Sequence, residues 1–330
     1  MKIGLIGRGS IAGAHEAAYA RIPEAEIVAV CDIRAERLEG LAEGVRTYRD
    51  IDEMLKAEAG RLDYVDICLP TYLHADVACR AMRAGYHVLS EKPMARTLTE
   101  CEEMCRVAKE TGRLLMAAYC NRFFTAFRTI KDYVDSGRFG GVVSAEFRRE
   151  GGSRGPMGHE NWFRNKELSG GAMLDLHIHD VDMLIALLGM PTAVSAMARN
   201  LIPGSGYDAM SVNYRFGDGA FANATCDWTI PHDKFNTRTI RVNLDGGYLF
   251  LDRTAKRTTF VAVATDGTVE DLSEQIASFD AYYNEIVYFM NCVKNGTQPT
   301  VCLPEASMLS VKLVEAEMRS ADLGGELIKL

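Results

Sequence analysis

Short apolar runs alternate with longer amphipathic segments over the first third of the chain. The apolar runs are KIGLIG, EIVAVC, YVDICLP, HVLSE and LLMAAY. Helical patterns lie between them: HEAAYARI, RAERLEGLAEG, HADVACRAMRAG and LTECEEMCRVAKETG. Such alternation is typical of a parallel sheet covered by helices. It predicts a first domain over residues 1–120.

The pattern changes after about Asn121. A helical segment, TAFRTIKDYVDSG, is followed by strands whose polar residues alternate with apolar ones: VVSAEFRRE, MSVNYRF, AFANATCDW, TRTIRVNLDG, GYLFLD and TTFVAVA. Two helical patterns follow, FDAYYNEIVYFMNCVKNG and EASMLSVKLVEAEMRSA. Alternation of this kind indicates a mainly antiparallel sheet with one solvated face. It predicts a second α/β domain over residues 121–330.

Composition and charge exclude several classes of protein. With 330 residues, 48% of them hydrophobic, the chain can bury a sizeable core in two domains. A net charge of −8 and the lack of a basic run argue against a nucleic-acid partner. No apolar stretch approaches the roughly 18 residues of a membrane span, and MKIGLIGRG lacks a signal-peptide core. We therefore expect a cytoplasmic protein with no membrane partner.

The nine cysteines lie mostly inside apolar runs such as VAVCD and VDICLP, where a thiol packs as a small hydrophobe. Cys101 and Cys105 are four residues apart on a helical pattern, but no second ligand pair follows them. Neither disulfides nor zinc are predicted.

A glycine-rich motif follows the first strand pattern and precedes the first helical one. Gly7, Gly9 and Ala12 fit G-x-G-x-x-G/A. Gly7 would allow the tight turn and Gly9 the close approach of a pyrophosphate, with the phosphates at the helix N-terminus. The alternative is a tight turn without a ligand.

Asp32 closes the second strand pattern, where a carboxylate would bond both ribose hydroxyls of NAD. Arg34 and Arg37 lie just beyond and could accommodate the 2′-phosphate of NADP, but Asp32 would repel it. NAD is therefore favoured over NADP.

The sequence Ser90-Glu91-Lys92-Pro93 lies at the end of the fourth main strand pattern, where open α/β sheets place their ligand crevice. Pro93 biases Lys92 away from helical angles, so its side chain can be aimed from the strand end. A lysine there can stabilise a developing alkoxide. The alternative is a surface turn with solvated charges.

The stretch DLHIHDVD reads as a metal site if it is a strand and as a proton relay if it is a helix. The apolar positions recur at helical spacing, which favours a helix: Leu174, Ile178, Val181, Ile185 and Leu188. On a helix Asp175 and His179 share a face and can reach across to Lys92, whereas His177 points about 160° away from His179. The two histidines then cannot bind one ion, and no metal is predicted.

These motifs occur together along the whole chain, in order: GRGSIA, Asp32, PTYLH, EKP, NRF, SGGAMLDLHIHDVD, GTQP and PEA. The chain thereby resembles the glucose-fructose oxidoreductase, inositol dehydrogenase and MocA family. The resemblance implies a Rossmann domain joined to an α/β domain whose open sheet commonly forms a homodimer or homotetramer interface. It also implies NAD(P)-dependent oxidation or reduction of sugars, polyols or related compounds.

By motif matching, Lys92, Asp175 and His179 occupy the catalytic positions of the family. His179 would take the hydroxyl proton, because an unperturbed histidine has a pKa of about 6.5. Lys92 would stabilise the oxygen, and Asp175 would orient the hydroxyl or the imidazole. The positions assigned to the cofactor include Lys92 a second time: Gly7, Gly9, Ser10, Ile11, Asp32, Ile33, Arg37, Leu69, Pro70, Thr71, His74, Glu91, Lys92 and Asn121.

The positions assigned to a polyhydroxylated substrate are Arg122, Asn161, Trp162 and His177. Trp162 would offer a sugar-stacking surface or fill the core. His177 departs from the family, many of whose members have a small residue there. It would touch the substrate or be packed and bonded to the backbone.

Two other functions remain open. One is a redox-assisted glycosidase, in which transient oxidation makes elimination of the aglycone easy and the same bound NADH returns the hydride. The other is an NAD(H)-binding regulator without catalysis. The presence of Lys92, Asp175 and His179 argues against the regulator.

Overall fold

Parallel strands form the first sheet, as the apolar runs predict. The computed structural model describes residues 1–152, 154–230, 237–253, 258–276 and 280–330. The strands are β1 (Lys2–Ile6), β2 (Glu26–Cys31), β3 (Arg46–Tyr48), β4 (Tyr64–Ile67), β5 (His87–Glu91) and β6 (Leu115–Ala118). Among the described residues their order is β3-β2-β1-β4-β5-β6, all pairs being parallel. This is the Rossmann order, in which a ligand lies beyond the carboxyl ends of the strands.

Helices α1 (Ser10–Tyr19), α2 (Ile51–Ala57), α3 (His74–Arg83) and α4 (Leu98–Thr111) connect these strands. The helix predicted over RAERLEGLAEG is wrong: only a short 3-10 turn, Ala35–Leu38, is present there. Gly40 and Gly44 adopt positive φ angles of 68° and 88°, which a continuing right-handed helix does not tolerate.

The second sheet is mainly antiparallel, as predicted. Among the described residues its order is β14-β13-β12-β11-β7-β10-β9-β8-β15, with only the β7–β10 pair parallel. The strands are β7 (Val142–Glu150), β8 (Ala193–Arg199), β9 (Ala209–Arg215), β10 (Phe221–Asp227), β11 (Thr237–Leu244), β12 (Gly247–Arg253), β13 (Thr258–Ala264), β14 (Val269–Asp271) and β15 (Ile328–Lys329).

The two faces of this sheet differ in burial. Alternate residues such as Phe147, Val212 and Ala224 are buried in the core. The opposite face carries large apolar side chains at the surface, with Phe221 57% and Met197 63% exposed. One face therefore packs on the protein's own core and the other is open.

Helices α5 (Thr125–Asp135), α6 (Lys166–Ser169) and α7 (Ile178–Leu188) belong with this sheet. The stretch DLHIHDVD is helical, as predicted, but its first part differs from the prediction. Met173–His177 forms a π-helical turn that continues into α7. Side-chain directions calculated at 100° per residue therefore hold only from Ile178 onward, because a π turn has more residues per turn.

The last two helices, α8 (Ala281–Asn295) and α9 (Pro304–Asp322), change the predicted domain boundary. The first structural unit is Met1–Phe123 together with Asp280–Met308, and the second is Phe124–Phe279 together with Leu309–Leu330. The single boundary at 120/121 therefore misses the return of α8 to the first unit. Aromatic packing explains this return, since Phe289 of α8 lies edge-on against Tyr64 of β4 at 5.2 Å between ring centroids.

None of the helices in the described ranges combines the length and the apolar character needed to cross a membrane.

Candidate functional site

The turn after β1 requires a glycine at its first position. Gly7 has a φ of 88°, and a Cβ atom there would lie 2.7 Å from the carbonyl oxygen of Cys68. Its N–H donates to the carbonyl oxygen of Cys31 at 2.8 Å. The backbone of β1, β2 and β4 therefore meets too closely at this turn for any other residue.

The start of α1 is suited to an anion. Gly9 is the residue before the helix, and no side chain there caps the first N–H groups. A Cβ atom on Gly9 would meet no protein atom within 4 Å, so the protein's own packing does not explain the glycine. Ser10 is exposed and Ile11 is half-buried. Open space beside helix N–H groups that no N-cap side chain caps fits the pyrophosphate of a dinucleotide.

Asp32 lies beside this turn. One carboxylate oxygen accepts from the Arg8 N–H at 2.8 Å and the other from the Arg34 N–H at 2.9 Å, and the side chain is largely buried. Ile33 is 67% exposed and Arg37 is exposed. The structure thus brings the carboxylate to the glycine motif, as the spacing predicts.

Arg8 was missed by sequence reasoning. Its side chain donates to the carbonyl oxygens of Arg37 and Glu39 at 2.8 and 2.9 Å and pairs with Glu16 at 2.7 Å. It therefore fixes the segment after Asp32 against α1. The G-x-G-x-x-G/A motif leaves the residue between the two glycines unspecified, so it gives no signal of this role.

The segment after β4 contains four of the predicted cofactor positions: half-buried Leu69 and Pro70, and buried Thr71 and His74. The His74 ring nitrogens lie 2.8 Å from the carbonyl oxygens of Pro93 and Leu69. Burial lowers the pKa of His74, although these two carbonyl groups act to raise it. His74 thus joins the ends of β4 and β5, and its direct contact with a cofactor stays a prediction.

The Glu91 carboxylate turns inward. One oxygen lies 3.0 Å from Nε2 of His15, and the other accepts from the Lys92 N–H at 2.9 Å. Lys92 follows at the strand end and is half-buried, before a cis peptide bond to Pro93. The carboxylate of Glu91, predicted to bind the cofactor, therefore has internal partners at both oxygens.

Asn121 lies in the short helical turn Cys120–Phe123 that follows β6. It is buried, and its amide nitrogen has no hydrogen-bond partner in the part of the chain that the structure describes. An orphaned buried donor at the carboxyl edge of the sheet fits a bound polar ligand. The neighbouring Arg122, predicted to bind substrate, donates to the carbonyl oxygen of Val301 at 2.6 Å.

In the second unit, the helical segment that carries Asp175 and His179 is almost entirely buried. From Gly171 to Ile185 every residue is buried except His179, which is partly exposed, and Asp175 retains 9% exposure. A single accessible imidazole on a buried helix is the geometry that a general base requires. The π-helical turn that contains Asp175 is a feature often found at functional sites.

Arg164 is a second residue that sequence reasoning missed. It is buried, and its guanidinium lies 4.3 Å from the ring centre of Trp228. Burial lowers the pKa of Arg164, while the charges of Asp208 and Asp175 act to raise it. A buried cation thus acts electrostatically on Asp175, and only the fold brings these residues together.

His177 is packed in the core. It is fully buried, with Nε2 3.1 Å from the hydroxyl of Tyr214 and 3.1 Å from a carboxylate oxygen of Glu317. The prediction that it binds substrate does not fit this position. The alternative prediction, a packed histidine, fits this position. Its partners, however, are the side chains of Tyr214 on β9 and Glu317 on α9 rather than the backbone.

The loop before α6 holds the other two predicted substrate residues. Asn161 is exposed, has a φ of 56°, and accepts from the Met157 N–H at 2.7 Å. Trp162 is partly exposed and stacks on Phe163 at 3.9 Å between ring centroids. Trp162 is therefore a surface aromatic rather than a core filler, and its role as a stacking surface for a sugar ring stays a prediction.

Comparisons with known proteins define the class. Residues 1–119 match the model of an oxidoreductase family with an NAD-binding Rossmann fold, and residues 127–250 match the GFO/IDH/MocA C-terminal domain. Together these matches span most of the chain. The chain therefore belongs to the GFO/IDH/MocA family of oxidoreductases, which confirms the predicted fold, the NAD cofactor and an enzyme acting on CH–OH groups.

Individual relatives agree with this. D-glucoside 3-dehydrogenase of Escherichia coli K12 is 32% identical over 61% of this chain and 57% of its own length. Inositol 2-dehydrogenase of Rhizobium meliloti 1021 is 29% identical over 90% of each protein. The crystal structure of an Agrobacterium radiobacter oxidoreductase in complex with NAD+, L-tartaric acid and magnesium superposes with a TM-score of 0.87 at 21% identity, covering 100% of this chain and 98% of that one.

Proposed function

We propose that the protein transfers a hydride between NAD and a hydroxyl-bearing carbon of a sugar, cyclitol or related polyol. The observation that carries the proposal is that His179, one turn after Asp175, is the one residue between 171 and 185 that is partly exposed. Two relatives named as dehydrogenases of a glucoside and of inositol support the substrate class.

Each proposed catalytic residue has a separate task. His179 takes the proton of the reacting hydroxyl during oxidation, because it is the accessible base of its helix. Lys92 donates a hydrogen bond to the oxygen as negative charge develops on it. Asp175, whose charge is opposed by buried Arg164, orients the hydroxyl or the imidazole.

The first unit supplies the residues that would hold NAD, which accepts the hydride when it is bound. Gly9 and the N–H groups of α1 would hold the pyrophosphate, and Asp32 would accept hydrogen bonds from the ribose hydroxyls. Asn121 offers its free amide donor to the ligand.

The loop with Asn161 and Trp162 is proposed to select a polyhydroxylated ring. An aromatic face and several hydrogen-bonding groups suit such a ring better than an aliphatic alcohol. A site built to bond hydroxyls rejects analogues that lack them, by factors up to about 10⁴.

The open face of the second sheet is the proposed homo-oligomer interface. Phe221 of β10 and Met197 of β8 are more than half exposed on that face. Apolar surface of this kind marks association sites. Light scattering coupled to size exclusion should show a homodimer or homotetramer, and Phe221→Asp should shift it towards the monomer. A monomeric wild-type protein would contradict this part.

The cytoplasmic location stays a prediction.

The function is tested by a screen of cyclitols, aldoses and glycosides that follows NADH absorbance and aglycone release together. Lys92→Ala should lower turnover at least about 10²-fold while NAD binding, measured by fluorescence quenching, is retained. Lys109→Ala on the outer part of α4 is the matched control and should not alter turnover.

Near-normal turnover of Lys92→Ala would remove Lys92 from the mechanism. Equal kcat/KM for inositol and cyclohexanol would contradict the polyol class. Aglycone release without net NADH would instead identify the redox-assisted glycosidase.

A further inference from the structure

A layer of polar side chains is buried between β4, β5, α1 and α8. At its centre, Nδ1 of His15 lies 2.8 Å from Oδ2 of Asp66, and Nε2 lies 3.0 Å from Oε1 of Glu91. His15 and Asp66 are fully buried, and Glu91 nearly so. Burial of so many ionisable groups is costly unless each is paired, so their arrangement calls for a physical explanation.

The two contacts of His15 determine how its ring is charged. A neutral imidazole has one N–H, so its other nitrogen would face a carboxylate lone pair at hydrogen-bond distance. Two N–H groups satisfy both carboxylates at once. Burial is the largest single effect and acts to lower the pKa of His15, but the charges of Asp66 and Cys68 and their hydrogen bonds to the ring together raise it well above its usual range. The same ring lowers the pKa of Glu91 against the effect of burial.

Other side chains contact the carboxylate of Asp66 and the ring of His15. Asp66 also accepts from the Tyr19 hydroxyl at 2.8 Å and from the Cys68 thiol at 3.7 Å. Tyr64 bonds the same Tyr19 hydroxyl, and Tyr282 of α8 lies against the ring of His15.

A third carboxyl group, Glu285 of α8, lies near the cluster. It is fully buried, and neither of its oxygens has a hydrogen-bond partner among the described residues. Burial raises its pKa well above the usual range; the nearby His15 opposes this and Glu91 adds to it. A fully buried carboxyl group without hydrogen-bond partners favours its neutral form, so we expect Glu285 to hold a proton and to leave one imidazolium between two carboxylates.

The hydrogen bonds of His15 to Asp66 and Glu91, called the clamp below, connect to Lys92, the residue with the proposed catalytic amine. Glu91 receives His15 at one oxygen and the backbone N–H of Lys92 at the other, at 2.9 Å. Restraint on Glu91 is thus restraint on the peptide from which the Lys92 side chain extends.

We propose that His15 is a positioning residue for Lys92: as an imidazolium held between Asp66 and Glu91, it fixes the end of β5 that carries the lysine. The inference rests on the proposed catalytic role of Lys92. Charge-assisted hydrogen bonds at both ring nitrogens make the clamp stiff. Displacement of a reacting group by about 1 Å can cost about 10²-fold in rate.

A metal ion is the competing occupant of these side chains. Ligand atoms of His15, Asp66 and Cys68 all lie within 4.8 Å of one another. However, nitrogen and oxygen ligands on a tetrahedral zinc ion are about 3.4 Å apart, given bonds of about 2.1 Å. The observed 2.8 Å between His15 and Asp66 is a hydrogen-bond distance.

The charge state is tested without any substrate. In the full-length protein labelled with ¹⁵N-histidine, both ring nitrogens of His15 should carry protons at pH 8, with assignment by loss of the signals in His15→Gln. Titration of the ring at about pH 6.5, the pKa of an unperturbed histidine, would overturn the clamp. One equivalent of zinc retained by the purified protein, and lost in Cys68→Ala, would also overturn it.

The positioning role is tested by kinetics. His15→Phe, which keeps a ring without the donors, and the milder His15→Gln should lower kcat about 10- to 100-fold while KM for NAD changes less than about threefold. Tyr19→Phe removes another hydrogen bond to Asp66 but keeps the clamp, and it should retain kcat. If His15 acts through Glu91, the double variant His15→Gln/Glu91→Gln should be no slower than the slower single variant.

The outcomes separate this inference from the proposed function. Additive losses in the double variant, or an equal loss in Tyr19→Phe, would mean general damage to the core and would refute the positioning role. If Lys92→Ala retains turnover, the proposed mechanism fails whatever the state of His15. A normal Lys92 effect with unchanged kcat in His15→Gln refutes the clamp alone.

Discussion

Arg149 of β7 and Asp180 of α7 form a two-point ion pair, with Nε 2.9 Å from Oδ2 and Nη2 2.6 Å from Oδ1. Both side chains are buried, at 9% and 1% exposure. The pair fixes α7 on the sheet one residue after His179. The position of the proposed base is therefore set by a charge pair beneath the helix.

We expect Asp180→Ala to lower the free energy of unfolding by about 3 kcal/mol, because it leaves a buried guanidinium without its carboxylate partner. Urea denaturation measures this. The control is Asp135→Ala, which removes the exposed pair with Lys131 on α5 and should cost less than about 0.5 kcal/mol. Equal losses in the two variants would mean that the buried pair has no special role.

The packed position of His177 predicts a separation of stability from binding. His177→Phe should reduce the free energy of unfolding by about 1–3 kcal/mol, since the buried Tyr214 hydroxyl and Glu317 carboxylate lose a polar neighbour. The KM for the polyol should change less than about threefold. Trp162→Ala is the comparison, with a raised KM and little change in stability. A large KM effect in His177→Phe would restore the substrate-binding hypothesis.

Cofactor preference is expected to depend on Asp32. Asp32→Ala should raise the affinity for NADP relative to NAD, because a carboxylate no longer opposes the 2′-phosphate. Fluorescence quenching by each cofactor gives the ratio of Kd values without a substrate. Glu36→Ala removes one exposed negative charge from the adjacent turn and should leave the ratio unchanged. A similar shift in both variants would indicate net charge rather than a specific contact.

Glu285 predicts a particular dependence of stability on pH. Its pKa is raised by folding, so the native state keeps a proton that the unfolded chain releases above about pH 4.3. Stability from this group is therefore complete below about pH 4.3 and is lost as the pH rises towards the folded pKa.

Glu285→Gln should flatten this decline, which is measured by urea unfolding at a series of pH values from about 5 upward. The release of one proton corresponds to a slope of about 1.4 kcal/mol per pH unit. Glu305→Gln, at an exposed position of α9, should not change it. An unchanged slope in Glu285→Gln would show that the carboxyl group is ionised in the native state.

The sequence alone determined the features that depend on local periodicity and steric limits. Apolar runs and glycine spacing predicted β1, α1 and the turn at Gly7, where the positive φ and the close Cys68 backbone leave no other choice. The apolar spacing around DLHIHDVD likewise predicted a helix, although the opposed directions of His177 and His179 were calculated for an α-helix and His177 lies in a π-helical turn. Motif order identified the family, which the comparisons confirmed. Roles at the predicted catalytic positions stay predictions.

Only the tertiary structure decided the features that depend on residues distant in sequence. The π-helical turn before α7 was hidden because its composition suits an α-helix equally well. The return of α8 to the first unit depends on packing such as that of Phe289 on Tyr64, far from it in the chain. In the sequence no pattern links His15, Asp66 and Glu285, and Glu91 was predicted to bind the cofactor rather than an internal partner. Their protonation depends on mutual distance and burial, which exist only once four elements have packed together.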